Sequence, residues 1–204
     1  MKQKYILFPI IFLGFILLDC SSTQQDSIAK TQNVEFLIEQ GKLFWQQRSD
    51  SLTLKKAEHF ISLACQQRPG QFDIAILYGQ ILYTRALFFE KDGETQNSLF
   101  LQASQHCQEA VLNHQDFSVI YNNAQGDSTF RMLTTLAKVP ISVVPGLFWW
   151  ATNLARYLNT RSVIERLNHR EILEVLMHRT LSLEPGFFYS GPYRFFGSFY
   201  TRIP

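Results

Sequence analysis

LTLKKAEHFISLACQQRPGQFDIAILYGQILY, residues 52–83, is the stretch that decides the fold. Ala57 and Ala64 stand seven residues apart, Pro69 follows five later, and Gly79 lies ten beyond that. Seven residues are about two helical turns, so the two alanines share one face. With Leu54, Ile61 and Cys65 they form an apolar stripe over 52–67, and Pro69-Gly70 ends the helix. The next segment, 72–90, is apolar almost all round, through Ile74, Ile76, Leu77, Tyr78, Ile81, Leu82, Tyr83, Leu87 and Phe88. Such a helix has to be enclosed by neighbours.

The spacing recurs. Ala103 and Ala110 are seven apart on a helix predicted over about 94–113. Leu173 and Thr180 repeat the seven, with Pro185 five later. An earlier helix, 33–48, carries Val34, Leu37, Ile38, Gly41, Phe44 and Trp45 at three-to-four spacing. Small side chains on one face let paired helices come close, and one pair cannot bury its apolar face alone. The expectation is an all-α fold: elongated tetratricopeptide-like helix pairs forming an α-solenoid over residues 33–204. The pairs are elongated because Gly41 to Ala57 is 16 residues and Gly79 to Ala103 is 24, more than that repeat uses. An ordinary helical bundle with alanine on its inner faces is the competing reading. Strand signals are absent.

Upstream, MKQKYILFPIIFLGFILLDC (1–20) has a basic start at Lys2 and Lys4, then an apolar run from Tyr5 to Leu18. Cys20 falls where a signal peptide is cut. Leu17-Leu18-Asp19-Cys20 reads as a bacterial lipobox, with Asp19 where Gly, Ala or Ser is usual. On this reading residues 1–19 are a lipoprotein signal peptide, Cys20 is the lipid attachment site, and residues 20–32 are a flexible tether. The alternative is an uncleaved anchor helix, for which the run is short of the roughly 20 residues of a span. Either way the remainder is tethered to a membrane outside the cytoplasm.

Without residues 1–19, 185 of the 204 residues remain, enough for one domain or a short repeat array. Losing Lys2 and Lys4 from 19 basic residues, and Asp19 from 17 acidic ones, leaves 17 against 16. That balance argues against a nucleic-acid partner. Cys65 and Cys107 fall at different helical phases, so free buried thiols are expected rather than a disulfide. His59, His106, His114, His169 and His178 form no metal-ligand pair on one helix. No nucleophile elbow, phosphate-cradling loop or dinucleotide fingerprint is present. Neither an enzyme nor a cofactor is expected. Glu165, Arg166, Arg170, Glu171 and Glu174 read as a solvated helix face with four-apart pairs.

Two stretches remain. In KVPISVVPGLFWWATNLARY (138–157), Pro145 suits the start of a helix continuing through Phe148, Trp149, Trp150, Leu154 and Tyr157. Adjacent tryptophans point about 100° apart, so one can face the core and the other a groove; the alternative is that both fill the core. In residues 183–200, Gly191-Pro192 reads as a turn before a helix with Phe195, Phe196, Phe199 and Tyr200 on one broad side.

The order of a lipobox, elongated helix pairs, a VP…W segment and L-x-P-x-[FY]-[FY]-Y-x-G-P-x-R-x-x-G-x-[FY]-Y resembles the T component of TRAP transporters (the TatT lipoprotein family). Gly191, Pro192, Arg194, Gly197 and Tyr200 match that pattern, while Ser190, Tyr193 and Phe196 replace its usual glycine, histidine and leucine. The resemblance implies a non-enzymatic periplasmic lipoprotein, anchored by lipid on the periplasmic side of a bacterial membrane. It further implies a homotrimer, a cleft for a hydrophobic small molecule, and association with the solute-binding P component. Candidates for contact with ligand or partner are Phe148, Trp149, Trp150, Arg156, Tyr157, Tyr189, Gly191, Pro192, Arg194, Phe195 and Tyr200. Arg156 or Arg194 could face a carboxylate. A generic tetratricopeptide scaffold or adaptor lipoprotein of the envelope is the alternative function.

The last helix carries four aromatics and the sequence stops at Pro204, so an apparently truncated array with an uncovered patch is expected. Its test is thermal unfolding alongside a hydrophobic dye. A broad transition with dye binding is expected, and a cooperative transition without dye binding contradicts it.

Overall fold

The computed structural model describes residues 31–202; the signal segment, Cys20 and most of the tether lie outside the described residues. Helix α1 covers 31–46 and so takes in the last two residues assigned to the tether. It is followed by α2 (Ser51–Gln67), α3 (Phe72–Phe88), α4 (Gly93–Leu112), α5 (Gln115–Asn123) and α6 (Ser128–Leu136). A short 3-10 turn, Ile141–Val143, leads into α7 (Val144–Leu158), α8 (Val163–Asn168), α9 (Arg170–Leu183) and α10 (Phe187–Arg202). No strand occurs among the described residues, so the all-α expectation holds.

Local chemistry sets most of the helix starts. Asp50 accepts from the Thr53 amide at 2.8 Å, and Asp127 from the Phe130 amide at 2.9 Å. Asp92 accepts from the Thr95 hydroxyl at 2.6 Å and the Thr95 amide at 2.8 Å, which together hold its carboxyl below the usual range. His114 caps α5 by accepting from the Asp116 amide at 3.2 Å. Each such cap satisfies an amide that the first helical turn leaves without a partner.

Packing follows the spacing. Ala57 and Ala64 on α2, Ala103 and Ala110 on α4, and Leu173 and Thr180 on α9 are all buried. Contacts run from α2 to α3, α3 to α4, α4 and α3 to α7, α7 to α9, and α9 to α10. The extra residues between small positions lie within the helices, since α3 has 17 residues and α4 has 20. Ion pairs tie successive helices at their edges, Arg68–Glu35 and Arg85–Glu58, each at 2.6 Å. The core has two lobes, one on α1–α4 and one running from α3 to α10, and Tyr83 and Tyr157 pack against both.

Several expectations are corrected. Residues 114–137, where the sequence pattern predicts no element, form α5 and α6, bound by Arg131 donating to the Tyr121 carbonyl at 2.8 Å while stacking on that ring at 4.2 Å. Phe88, placed on the enclosed helix, is 70% exposed, because α3 ends there. The four C-terminal aromatics do not form one uncovered side: Phe195 and Phe199 are buried and only Tyr200 is largely exposed. On the charged face Arg170 pairs with Glu174, four residues on, at 3.2 Å.

Cys65 and Cys107 are free, Cys107 buried and Cys65 half-buried. Burial pushes the Cys65 thiol up to about 11 and raises that of Cys107 too. No single helix among the described residues is long and apolar enough to cross a membrane, though α6 and the 141–158 segment, bent by 99°, pass that test together.

Gly79 is where α3 meets α4 most tightly. A Cβ there would collide with Cys107 Sγ and lie 3.3 Å from the Ala103 carbonyl. Gly79→Ala is therefore expected to destabilise by about 1–3 kcal/mol, the usual cost of overpacking, despite alanine's better helix propensity. Adding Cys107→Ala should recover part of that loss, read as a non-additive cycle in denaturant unfolding. Strict additivity contradicts the contact. Above about pH 9 the unfolded thiols ionise while the buried ones stay protonated, so stability should fall as pH rises from 9 towards 11.

Candidate functional site

The stretch between Pro145 and Tyr157 becomes α7, with Pro145 in its first turn where a missing amide hydrogen costs nothing. Ten of its fifteen residues are buried. One strip of α7 instead borders a cleft of about 160 Å³ closed on the far side by α10 and at its base by Tyr83 of α3. Along that strip Thr152, Arg156 and Asn159 follow at four and three residues, so they share one face. Across from them α10 presents Phe188, Phe195 and Phe199, with Arg194 and Ser198 on the same side. The cleft thus has a polar wall on α7, a mixed aromatic and polar wall on α10, and an aromatic floor.

The floor is built from edge-to-face rings. Trp149 lies 5.3 Å from Tyr83, 5.3 Å from Phe148 and 4.8 Å from Phe188. Phe148 also meets Phe187 at 5.2 Å. Both tryptophans are 3% exposed, but only Trp149 borders the cleft, while Trp150 lies wholly in the core. The hundred degrees between adjacent positions separates them as expected.

The entry to α10 is unusual. Phe188, Tyr189 and Ser190 all have left-handed backbone, with φ of 45°, 58° and 57°. Such a conformation costs roughly 1–2 kcal/mol per residue for side chains larger than glycine. Arg194 holds the turn by donating to the Phe188 carbonyl at 2.9 Å and to the Tyr189 carbonyl. Ser190 N also donates to the Gly186 carbonyl at 3.1 Å. The turn is what lets Phe188 fold back onto Trp149. Gly191 comes next, and a Cβ on it would lie 2.5 Å from Phe148 Cε2, so only glycine permits this approach. Pro192 then stands in the first turn of the right-handed part, as a proline-started helix requires.

Of the eleven candidates, Phe148, Trp149, Arg156, Gly191, Arg194 and Phe195 come together around the cleft. The other five do not. Trp150 and Pro192 are buried behind it. Tyr157 is turned away, with the Arg161 guanidinium over its ring at 4.5 Å. Tyr189 is 84% exposed beside Phe188, and Tyr200 stacks on Phe196 at 5.7 Å. The role suggested for Arg194 also changes, because its guanidinium is engaged by the turn carbonyls. Arg156 has no hydrogen bond or ion pair to any described residue and remains the unpaired cation of the cleft. Thr152, Asn159, Phe188 and Phe199, which are not among the eleven, also border the cleft. The four-and-three spacing from Thr152 through Arg156 to Asn159 was the available signal for two of them. Tyr83 arrives from α3 and had no local signal.

The left-handed turn yields a prediction. Ser190 occupies the position where the pattern described above usually has glycine, and its φ of 57° is the physical reason. Ser190→Gly is expected to stabilise by about 0.5–1 kcal/mol, after allowing for the freer unfolded chain. Arg194→Gln should destabilise by about 1–2 kcal/mol through loss of the charge-assisted bonds. Equilibrium unfolding checks both, and a destabilising Ser190→Gly contradicts the left-handed backbone.

A search of curated proteins finds no match for this chain. Comparison with family models matches residues 83–204 to the TRAP transporter T-component, which takes in α4 to α10 and both walls of the cleft. That is more than half of the sequence, and it includes the Gly191-Pro192 turn and the Phe148-Trp149-Trp150 segment. The chain belongs to the TRAP transporter T-component family.

Proposed function

We propose that this T component is a non-enzymatic lipoprotein, anchored through Cys20 on the periplasmic side of a bacterial membrane, which holds a hydrophobic ligand in the cleft between α7 and α10. In this role it delivers that ligand to, or receives it from, the periplasmic solute-binding component of its transporter. The observation that carries the reading is the coincidence of the family match with an aromatic-floored cleft within the matched residues. Concave apolar sites with a few polar groups suit small molecules. The basic start, apolar run and Cys20 supply the anchor. A homotrimer, implied by the family resemblance, belongs to the same reading.

Two measurements test it. Metabolic labelling with a radioactive fatty acid should mark the wild-type chain and not Cys20→Ser; equal labelling of both removes the anchor. A pull-down of the tagged protein from gently solubilised envelopes should recover a solute-binding protein of the TRAP type by mass spectrometry. Recovery of envelope-assembly factors alone favours the scaffold alternative.

A further inference from the structure

The left-handed turn at 188–190 lies between two glycines, Gly186 and Gly191, and carries a ring that rests on the floor of the cleft. We propose that this turn is a two-state switch in which Phe188 is a removable plug. Left-handed backbone seats the ring on Trp149; right-handed backbone withdraws it, uncovers the aromatic floor and releases Arg194. The inference rests on the proposal that the cleft between α7 and α10 binds a ligand, and it adds how access to the floor is regulated.

The segment is hinged and lightly held. A Cβ on Gly186 would have no atom within 4 Å, so the chain there has room to swing. Gly191 takes backbone of either hand without penalty, which suits the other end of a hinged segment. Tyr189 is 84% exposed, and its ring pairs with Phe188 alone among the described residues, at 5.6 Å. On either side the structure is anchored. Phe187 sits on Phe148 at 5.2 Å, and beyond the turn Phe195 and Phe199 are buried. The turn can therefore change hand while α10 keeps its place.

Opposed forces act on that turn. Three non-glycine residues with φ of 45°, 58° and 57° favour the right-handed form. Against this stand the ring contacts of Phe188, at 4.8 Å to Trp149 and 5.7 Å to Phe148, and the latch formed by Arg194 on the Phe188 and Tyr189 carbonyls. Those carbonyls face the guanidinium only while the backbone is left-handed. Strain balanced in this way is typical of clamps and switches.

The position of the ring gives the switch its consequence. Phe188 is 44% exposed, yet it packs on Trp149 as the ring of a bound molecule would, and Trp149 beneath it is 3% exposed. A molecule that packs on the face of Trp149 has to displace Phe188 first. Its apparent affinity is then lowered by the fraction of chains in which the plug is withdrawn. In the free chain the plug is seated.

The test uses the full chain and two readings. Fluorine NMR of 4-fluorophenylalanine placed at position 188 reports whether the ring lies on Trp149 or in water. Fluorescence titration with N-phenyl-1-naphthylamine, a neutral apolar probe, reports access to the floor. Ser190→Gly removes the cost of left-handed backbone at one position, so the solvent-facing resonance should shrink and the probe should bind about tenfold more weakly. Arg194→Gln removes the latch, so that resonance should grow and the probe should bind about tenfold more tightly. Phe188→Ala should bind the probe most tightly, and adding Ser190→Gly to it should change nothing. Unfolding curves check each variant, and if Arg194→Gln does not fold, the other two carry the test. A fluorine signal that responds to neither Ser190→Gly nor Arg194→Gln overturns the switch while leaving a ligand cleft in place. Equal probe affinity in the wild type, Ser190→Gly and Phe188→Ala does the same. Absence of probe binding in every variant, Phe188→Ala included, overturns this inference together with the ligand-cleft proposal on which it rests.

Discussion

The enclosure of α7 is the interaction on which the rest of the structure depends. A helix carrying Leu147, Phe148, Trp149, Trp150, Ala151 and Leu154 in one run cannot face water, and here α3, α4, α9 and α10 surround it. Each tryptophan removes up to about 250 Å² from solvent, worth roughly 4–6 kcal/mol at 25 cal/mol per Å² as an upper estimate. That exceeds any helix cap by several-fold, so burial of α7 rather than capping sets the order of the C-terminal lobe. Asn153 shows how complete the enclosure is. Its amide donates to the Trp149 carbonyl at 2.8 Å, yet its carbonyl oxygen is buried without a partner.

Enclosure is incomplete along one strip, and the geometry of α10 explains why. A straight α10 would begin with an ordinary right-handed turn, and its entry would not fold Phe188 back against Trp149. Instead three successive residues are left-handed, held by the Arg194 guanidinium. The backbone strain, roughly 1–2 kcal/mol per residue, is of the same order as the aromatic contacts it permits. Strain of this kind persists only where surrounding contacts over-determine it. Here those contacts are Gly191 against Phe148 below and the Arg194 bonds beside it. The cleft is therefore the space left between a buried helix and a neighbour that approaches it on a strained turn.

Much of the fold was legible because small residues at a fixed interval admit few alternatives. Ala57 with Ala64, Ala103 with Ala110 and Leu173 with Thr180 are buried as their shared faces require. The α5–α6 hairpin was not legible, since its nine-residue helices carry short, mixed patterns and depend on contacts such as Arg131 with Tyr121. At the site, local motifs drew attention to Phe148, Trp149, Gly191 and Arg194, which do meet. The motif could not tell that Arg194 serves the backbone while Arg156 stays unpaired, because that difference depends on a left-handed turn no propensity favours. It also could not bring in Tyr83, whose position is set by the packing of α3 on α7. Tyr189 and Tyr200 share the aromatic character of the motif but point to solvent, which follows from the turn and not from composition.

The most direct measurement is a crystal structure of the full chain. The account predicts Trp149 enclosed with Phe188 folded back against it, Gly191 against Phe148, and residues 188–190 left-handed. A right-handed entry to α10, with Trp149 open to solvent, would contradict it.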